Sequence, residues 1–162
     1  MLLDSNHGLL ALVPILTPIA TAWVAQQERR ILRNGLPLSP QQLAMAREIG
    51  VMHPDRVRLL RVDRVPQPGG PILGAAARLA RLRTDDASGM TMRYGIFIRS
   101  DRWDNTGLVA HELVHTRQYE QLGGIRPFLR QYLAECLSSG YLASSLELEA
   151  CRDAEAYQDQ VG

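Results

Sequence analysis

The sequence predicts a helix-dominant α+β fold, and three observations carry that expectation. Apolar residues recur at three- and four-residue spacing along most of the chain, punctuated by Gly, Pro and Ser where helices stop and start. Two runs, Arg56 to Val65 and Met90 to Ile98, are rich in β-branched and aromatic residues and read as strands. The elements come as helices, strand, helix, strand and then three helices, not as a regular βαβ alternation. A chain of 162 residues with 46% apolar and 22% charged side chains bounds this to one globular domain with a sizeable core.

Each element has a local reason. Trp23, Val24, Gln27, Ile31 and Leu32 form a partial apolar stripe in a first helix from about Thr17 to Arg33. Asn34-Gly35 stops it, and Pro37 follows. Ser39 with Pro40 behind it is an N-cap with proline at the first helical position. It opens a helix from Pro40 to Ile49, closed by Gly50. His53-Pro54 is a turn before the Arg56–Val65 strand, and Pro66 to Pro71 is a loop. Ile72 to Leu82 reads as a third helix, and Thr84 to Gly89 as a polar connection into the Met90–Ile98 strand. Ser100 to Gly107 is a loop in which Asn105 or Thr106 caps the next helix. After Gly123-Gly124, a helix from Pro127 to Leu137 carries Phe128, Leu129, Tyr132, Leu133 and Cys136 on one side. Gly140 ends it, and Ser144-Ser145 caps a last helix through Tyr157.

The segment Gly8 to Ala25 is almost continuously apolar but is interrupted by Pro14 and Pro18. A protein-buried helix, interrupted near those prolines, is the expectation. A membrane-associated segment over residues 8–25 and a cleaved signal are the alternatives. Asp4 and the lack of a leading basic residue disfavour a signal. The expected location is cytoplasmic, because two cysteines, Cys136 and Cys151, make no disulfide framework. The absence of C-x-x-C excludes a cysteine zinc ribbon. A net charge of +1 points to no nucleic-acid partner. All 18 basic side chains are Arg, and the Arg-bearing stretches at Gln26–Arg30 and Arg56–Arg64 read as solvated faces.

The chemistry sits in His111-Glu112-Leu113-Val114-His115, inside Leu108–Tyr119, a stretch without Gly or Pro. Four residues apart on a helix, two imidazoles share a face and can bind one Zn²⁺. Glu112, one residue on from the first histidine, is placed to take a proton from water at the metal's open position. The plain alternative is a core helix with two satisfied histidines. A catalytic zinc needs a third protein ligand. No His follows His115, so the donor is a carboxylate or thiol, and Ser145–Asp153 offers Glu147, Glu149 and Cys151. Tyr119, Tyr132 and Tyr141 are oxyanion-stabiliser candidates, none of them singled out.

With these residues in view, the chain resembles the gluzincin class of zinc metallopeptidases, in which a His-Glu-x-x-His helix is followed by a helix bearing a third, glutamate ligand. That ligand is often followed by a small residue three on and an acid four on. Glu147 and Ala150 match; Cys151 stands where the acid would be. A closer resemblance is to compact bacterial metallopeptidase-like domains. It rests on Ala110-His-Glu-Leu-Val-His-Thr-Arg-Gln118, Glu147-Leu-Glu-Ala150, the Tyr94–Ile98 strand and the Arg126–Tyr132 helix, and covers roughly Thr91 to Ala156. The expected organisation is a single domain, with an N-terminal hydrophobic, helical segment 1–35 and a minimal zincin-like core over 56–160. The resemblance implies zinc on His111, His115 and Glu147, with Glu112 as general base in hydrolysis of a peptide or protein substrate. Glu149 points some 200° from Glu147 on an ideal helix and is the lesser candidate. A strand at Tyr94–Ile98 would pair with the peptide by edge addition. The competing class is a non-catalytic zinc-binding module, which the Cys151 departure favours.

Overall fold

A computed structural model describes residues 8–79 and 86–161. In chain order it contains α1 (Val13–Asn34), β1 (Leu36–Pro37), α2 (Pro40–Ile49), β2 (Arg58–Val62), α3 (Pro71–Leu79), β3 (Gly89–Met92), β4 (Gly95–Arg99), α4 (Thr106–Leu122), α5 (Ile125–Ser139) and α6 (Ser145–Val161). The fold is α+β with helix dominant. The strands form one mixed sheet in the order β1-β2-β4-β3: β2 and β4 are parallel, and the outer pairs are antiparallel.

Alternation along β4 sets the layers. Ile96 and Ile98 face a core made with Leu59, the α2 residues Met45, Ala46 and Ile49, and the α4 residues Val109, Ala110, Leu113 and Val114. Phe97 faces the other way, into a core with Ile31, Val24 and Leu16 of α1 and Phe128, Leu129 and Leu133 of α5. Helix α4 therefore lies under one face of the sheet and α1 over the other. Gly95 lets α1 sit close, because a β-carbon there would lie 2.8 Å from Ile31 Cβ.

Several expectations shift. The β2 strand is shorter than Arg56–Val65, since Pro54–Arg56 forms a 3₁₀ turn. The expected single strand Met90–Ile98 is a hairpin, with Arg93 and Tyr94 between the paired Met92 and Gly95. Neither is a usual turn residue, and Arg93 has φ 64°. Tertiary contacts hold the tip: Thr116 Oγ1 donates to Arg93 O (2.8 Å), Arg58 N to Tyr94 O (2.9 Å) and Tyr94 N to Glu28 Oε1 (3.2 Å). Glu28 is thus buried and is not part of a solvated face. Helix α3 is described from Pro71 to Leu79, and the expected end at Leu82 lies outside the described residues.

The first helix begins at Val13, not Thr17, and runs on through Pro18, with the interruption at residues 11–12. Its inner side buries Val13, Leu16, Ala20 and Val24, while Ile15 and Ile19 are exposed. Among the described residues no helix is long and apolar enough to cross a membrane. Ser39 caps α2 as expected, and Gln42 makes the cap reciprocal by accepting from Ser39 N; Asn105 Oδ1 accepts Leu108 N (2.9 Å) at the start of α4.

The start of α6 is capped from another helix. Glu135 of α5 accepts from Ser145 N (2.8 Å), Ser144 Oγ (2.8 Å) and Ser145 Oγ (2.7 Å). A carboxylate there meets free amides and the positive end of the helix. Burial raises its pKa, but the donated hydrogen bonds outweigh that and hold it below the usual range. A depressed folded pKa means the contribution is full above the unfolded value near ~4.3 and fades as pH falls through the folded one. Glu135→Gln should cost about 1–2 kcal/mol in urea unfolding at pH 7, with a smaller difference from the parent below about pH 4. An equal difference at both pH values would refute the charged cap.

Candidate metal centre

Helix α4 carries His111 and His115 one turn apart, with their Nε2 atoms 3.1 Å from each other. Glu147, in the first turn of α6, completes the group: Oε2 is 3.4 Å from His111 Nε2 and Oε1 is 3.5 Å from His115 Nε2. A tetrahedral zinc with bonds of about 2.05 Å sets its ligand atoms roughly 3.3 Å apart. The three separations match that edge, and two imidazoles with a carboxylate are a donor set zinc accepts. His111, His115 and Glu147 can hold a metal ion.

The surrounding side chains orient these donors. Gln118 Nε2 donates to Leu146 O (2.9 Å) and Glu149 Oε2 (2.6 Å). Its Oε1 is therefore the acceptor 2.8 Å from His115 Nδ1, which keeps a proton on Nδ1 and makes Nε2 the ring nitrogen turned toward the centre. Tyr132 Oη donates to Glu147 Oε1 at 3.1 Å. Cys151 Sγ is 3.9 Å from His111 Nδ1, behind the ring and outside the donor group. Glu149 is turned away, 3.2 Å from Arg117 and hydrogen-bonded to Gln118. Among the tyrosines, Tyr119 is a core ring stacked 3.8 Å from Phe128, with its hydroxyl toward Thr91 O. Tyr132 and Tyr141 line the cleft beside Glu147.

Glu112 is buried and points at β3. Thr91 Oγ1 lies 2.6 Å from its Oε2, donating to the carboxylate, and 2.9 Å from its backbone O. A β-carbon on Gly89 would lie 2.7 Å from Oε1, so only glycine leaves room for the carboxylate there. The expected edge strand was Tyr94–Ile98, but β4 is paired on both sides; β3 is the outer strand among the described residues. Arg99 N donates to Ser88 O, so alternation turns the amides of Gly89 and Thr91, two residues that line the cleft, away from β4.

The field in the centre favours a cation. Burial lowers the His115 pKa, but Glu147, Glu112 and Gln118 raise it further, and it is pushed up to about 9. Burial would raise Glu147, yet the two histidines hold it far below the usual carboxylate range. Burial, and then the Glu147 charge, pushes the Tyr132 and Tyr141 hydroxyls up, keeping both protonated. Burial also raises the Cys151 thiol, with Glu147 and Glu155 adding to it.

The motif exposed His111, Glu112, His115 and the third-ligand candidates in the sequence. Thr91 and Gly89 were missed: they adjoin Glu112 only through the α4–β3 packing, and nothing in their local sequence marks it. Gln118 stood in the quoted motif without a role. No protein-family model, curated protein or solved structure matches the chain.

Purified protein should hold close to one zinc. His111→Ala and His115→Ala should each strip it. Glu147→Ala should weaken binding on the order of a hundredfold or more, and Gln118→Leu by roughly 10–100-fold, while Glu149→Ala stays within a few-fold. Elemental analysis with a competing chelator reads all five, and a Glu149→Ala loss equal to that of Glu147→Ala would overturn the assignment.

Proposed function

We propose that the protein is a zinc-dependent metallopeptidase of gluzincin type, with zinc held by His111, His115 and Glu147 and with Glu112 as general base. The observation that supports it best is the side-by-side placement of a donor triad of zinc dimensions and a buried carboxylate fixed by Thr91 on the outer strand. Zinc, when bound, polarises a carbonyl and acidifies water. The residues supply the rest. Glu112 accepts a proton from the attacking water as its oxygen bonds to the carbonyl carbon. The same carboxyl returns the proton to the amide nitrogen as the C–N bond breaks. The Gly89 and Thr91 amides offer an extended peptide main-chain hydrogen bonds, and Tyr132 and Tyr141, both protonated, lie beside Glu147 as donors.

A second reading, a zinc-binding module without catalysis, is favoured by Cys151, which sits behind His111 where a carboxylate would make the ring more basic. Free thiols at Cys136 and Cys151 suit a cytoplasmic setting and a peptide substrate found there.

Glu112→Gln decides between the readings. It should retain zinc and lose about 10²–10⁴-fold in hydrolysis of a quenched peptide library. Parent protein that is fully zinc-loaded yet cleaves no better than Glu112→Gln would leave the module.

A further inference from the structure

The cleft leading to the donor triad has a volume of about 180 Å³, and its walls away from the triad are apolar. Leu16, Ala20, Trp23 and Val24, at i, i+4, i+7 and i+8, form one wall from α1. Leu73 and Ala77 of α3, Met90 of β3, and Leu129 and Leu133 of α5 close the others. Among the described residues, the charged or ionisable side chains lining this space are His111, Glu112, His115 and Glu147, with Tyr119, Tyr132 and Tyr141 beside them.

We propose that this pocket is a specificity site that takes a large apolar side chain, of Phe or Leu type, next to the bond being cut, and that α1 is the element that reads it. The proposal rests on the peptidase reading. A cavity of about 150 Å³ lined by Leu, Ile and Phe takes up benzene, so this one accommodates a phenyl or isobutyl group. A Lys or Asp side chain entering the same space leaves water without gaining a charged partner, because among the described residues the α1 and α3 lining is apolar apart from the Trp23 indole N–H, and the one hydroxyl that α5 brings, on Tyr132, is held by Glu147. A Gly residue leaves it unfilled. The N-terminal apolar segment thereby has a role on its inner face: its stripe is the wall that touches substrate.

Trp23 makes the site self-reporting. Trp103 is the only other tryptophan and packs with the other core, so Trp103→Phe leaves Trp23 as the sole emitter at the pocket. In the zinc-loaded Trp103→Phe, Glu112→Gln protein, acetyl-Phe, -Leu, -Gly, -Asp and -Lys hydroxamates are titrated while Trp23 emission is followed. Toluene, which needs no metal, is titrated in parallel. The expected result is Phe and Leu binding at least tenfold tighter than Gly, Asp and Lys, with a shift of Trp23 emission that toluene reproduces. Hydroxamates that bind with no preference, or that favour Asp or Lys, overturn the pocket and leave the metal reading standing. A Trp23 shift with toluene while no hydroxamate binds keeps the apolar pocket and removes the peptidase reading. Silence toward both ligands removes both.

Discussion

Helix α4 has to bury Glu112, His115, Thr116 and Gln118 among its apolar residues, and the rest of the site follows from where those groups find partners. A buried polar group without a hydrogen bond costs about 1–3 kcal/mol, so four of them on one helix dictate what packs beside it. Glu112 takes Thr91 from β3, Thr116 takes the Arg93 carbonyl from the hairpin tip, and Gln118 takes Leu146 and Glu149 from α6. Each bond ties a different element to α4. The same bonds that satisfy the helix bring β3 against the general-base candidate and α6 against the histidine pair.

The start of α6 is tied to two other helices. Glu135 binds the Ser145 amide, and Gln118 binds the Leu146 carbonyl and the Glu149 carboxylate. Glu147, between Leu146 and Glu149, has little freedom, and Tyr132 holds its Oε1. Arg117 adds a third tie: it reaches Asp153 at 2.7 Å and Glu149 at 3.2 Å on α6 and donates to Ile49 O at the end of α2. Preorganisation of this kind brings ligand atoms to metal-binding separations without relying on the metal to pull them together.

How much of this was legible depends on the range of the forces involved. Helices with local signals were placed well: Ser39 and Gln42 cap α2, Gly50 ends it and Asn105 caps α4, all by contacts within four residues. The β3–β4 hairpin was not legible. Arg93 and Tyr94 carry no turn signature, and their conformation is imposed by Glu28, Arg58 and Thr116, which are distant in sequence. The cap of α6 was assigned to adjacent serines, whereas the carboxylate that completes it comes from Glu135 on the preceding helix. At the site, spacing revealed the residues on α4 and narrowed those on α6. It could not reveal Thr91 and Gly89, which meet Glu112 across 21 and 23 residues.

The apolar N-terminal segment poses the sharpest contrast between pattern and placement. Hydropathy alone left a membrane segment and a buried helix in competition, because both need apolar residues around most of the helix. The structure gives the inner residues of α1 two distinct tasks. Ile31 packs on Gly95 in the sheet core, and Leu16, Ala20, Trp23 and Val24 form a cleft wall beside the histidine pair. Pro18 fits the exposed side, where the loss of one helical amide bond faces water and is cheaply replaced. Thr17, next to it, is buried, and its hydroxyl donates to Val13 O at 2.6 Å, so the turn carrying the prolines keeps a hydrogen bond on its inner side. A stripe that serves as both core and cleft wall stays apolar at Leu16, Ala20, Trp23, Val24 and Ile31, and its two buried polar side chains, Thr17 and Glu28, each have a backbone partner, so packing accounts for the inner face of α1 without reference to lipid.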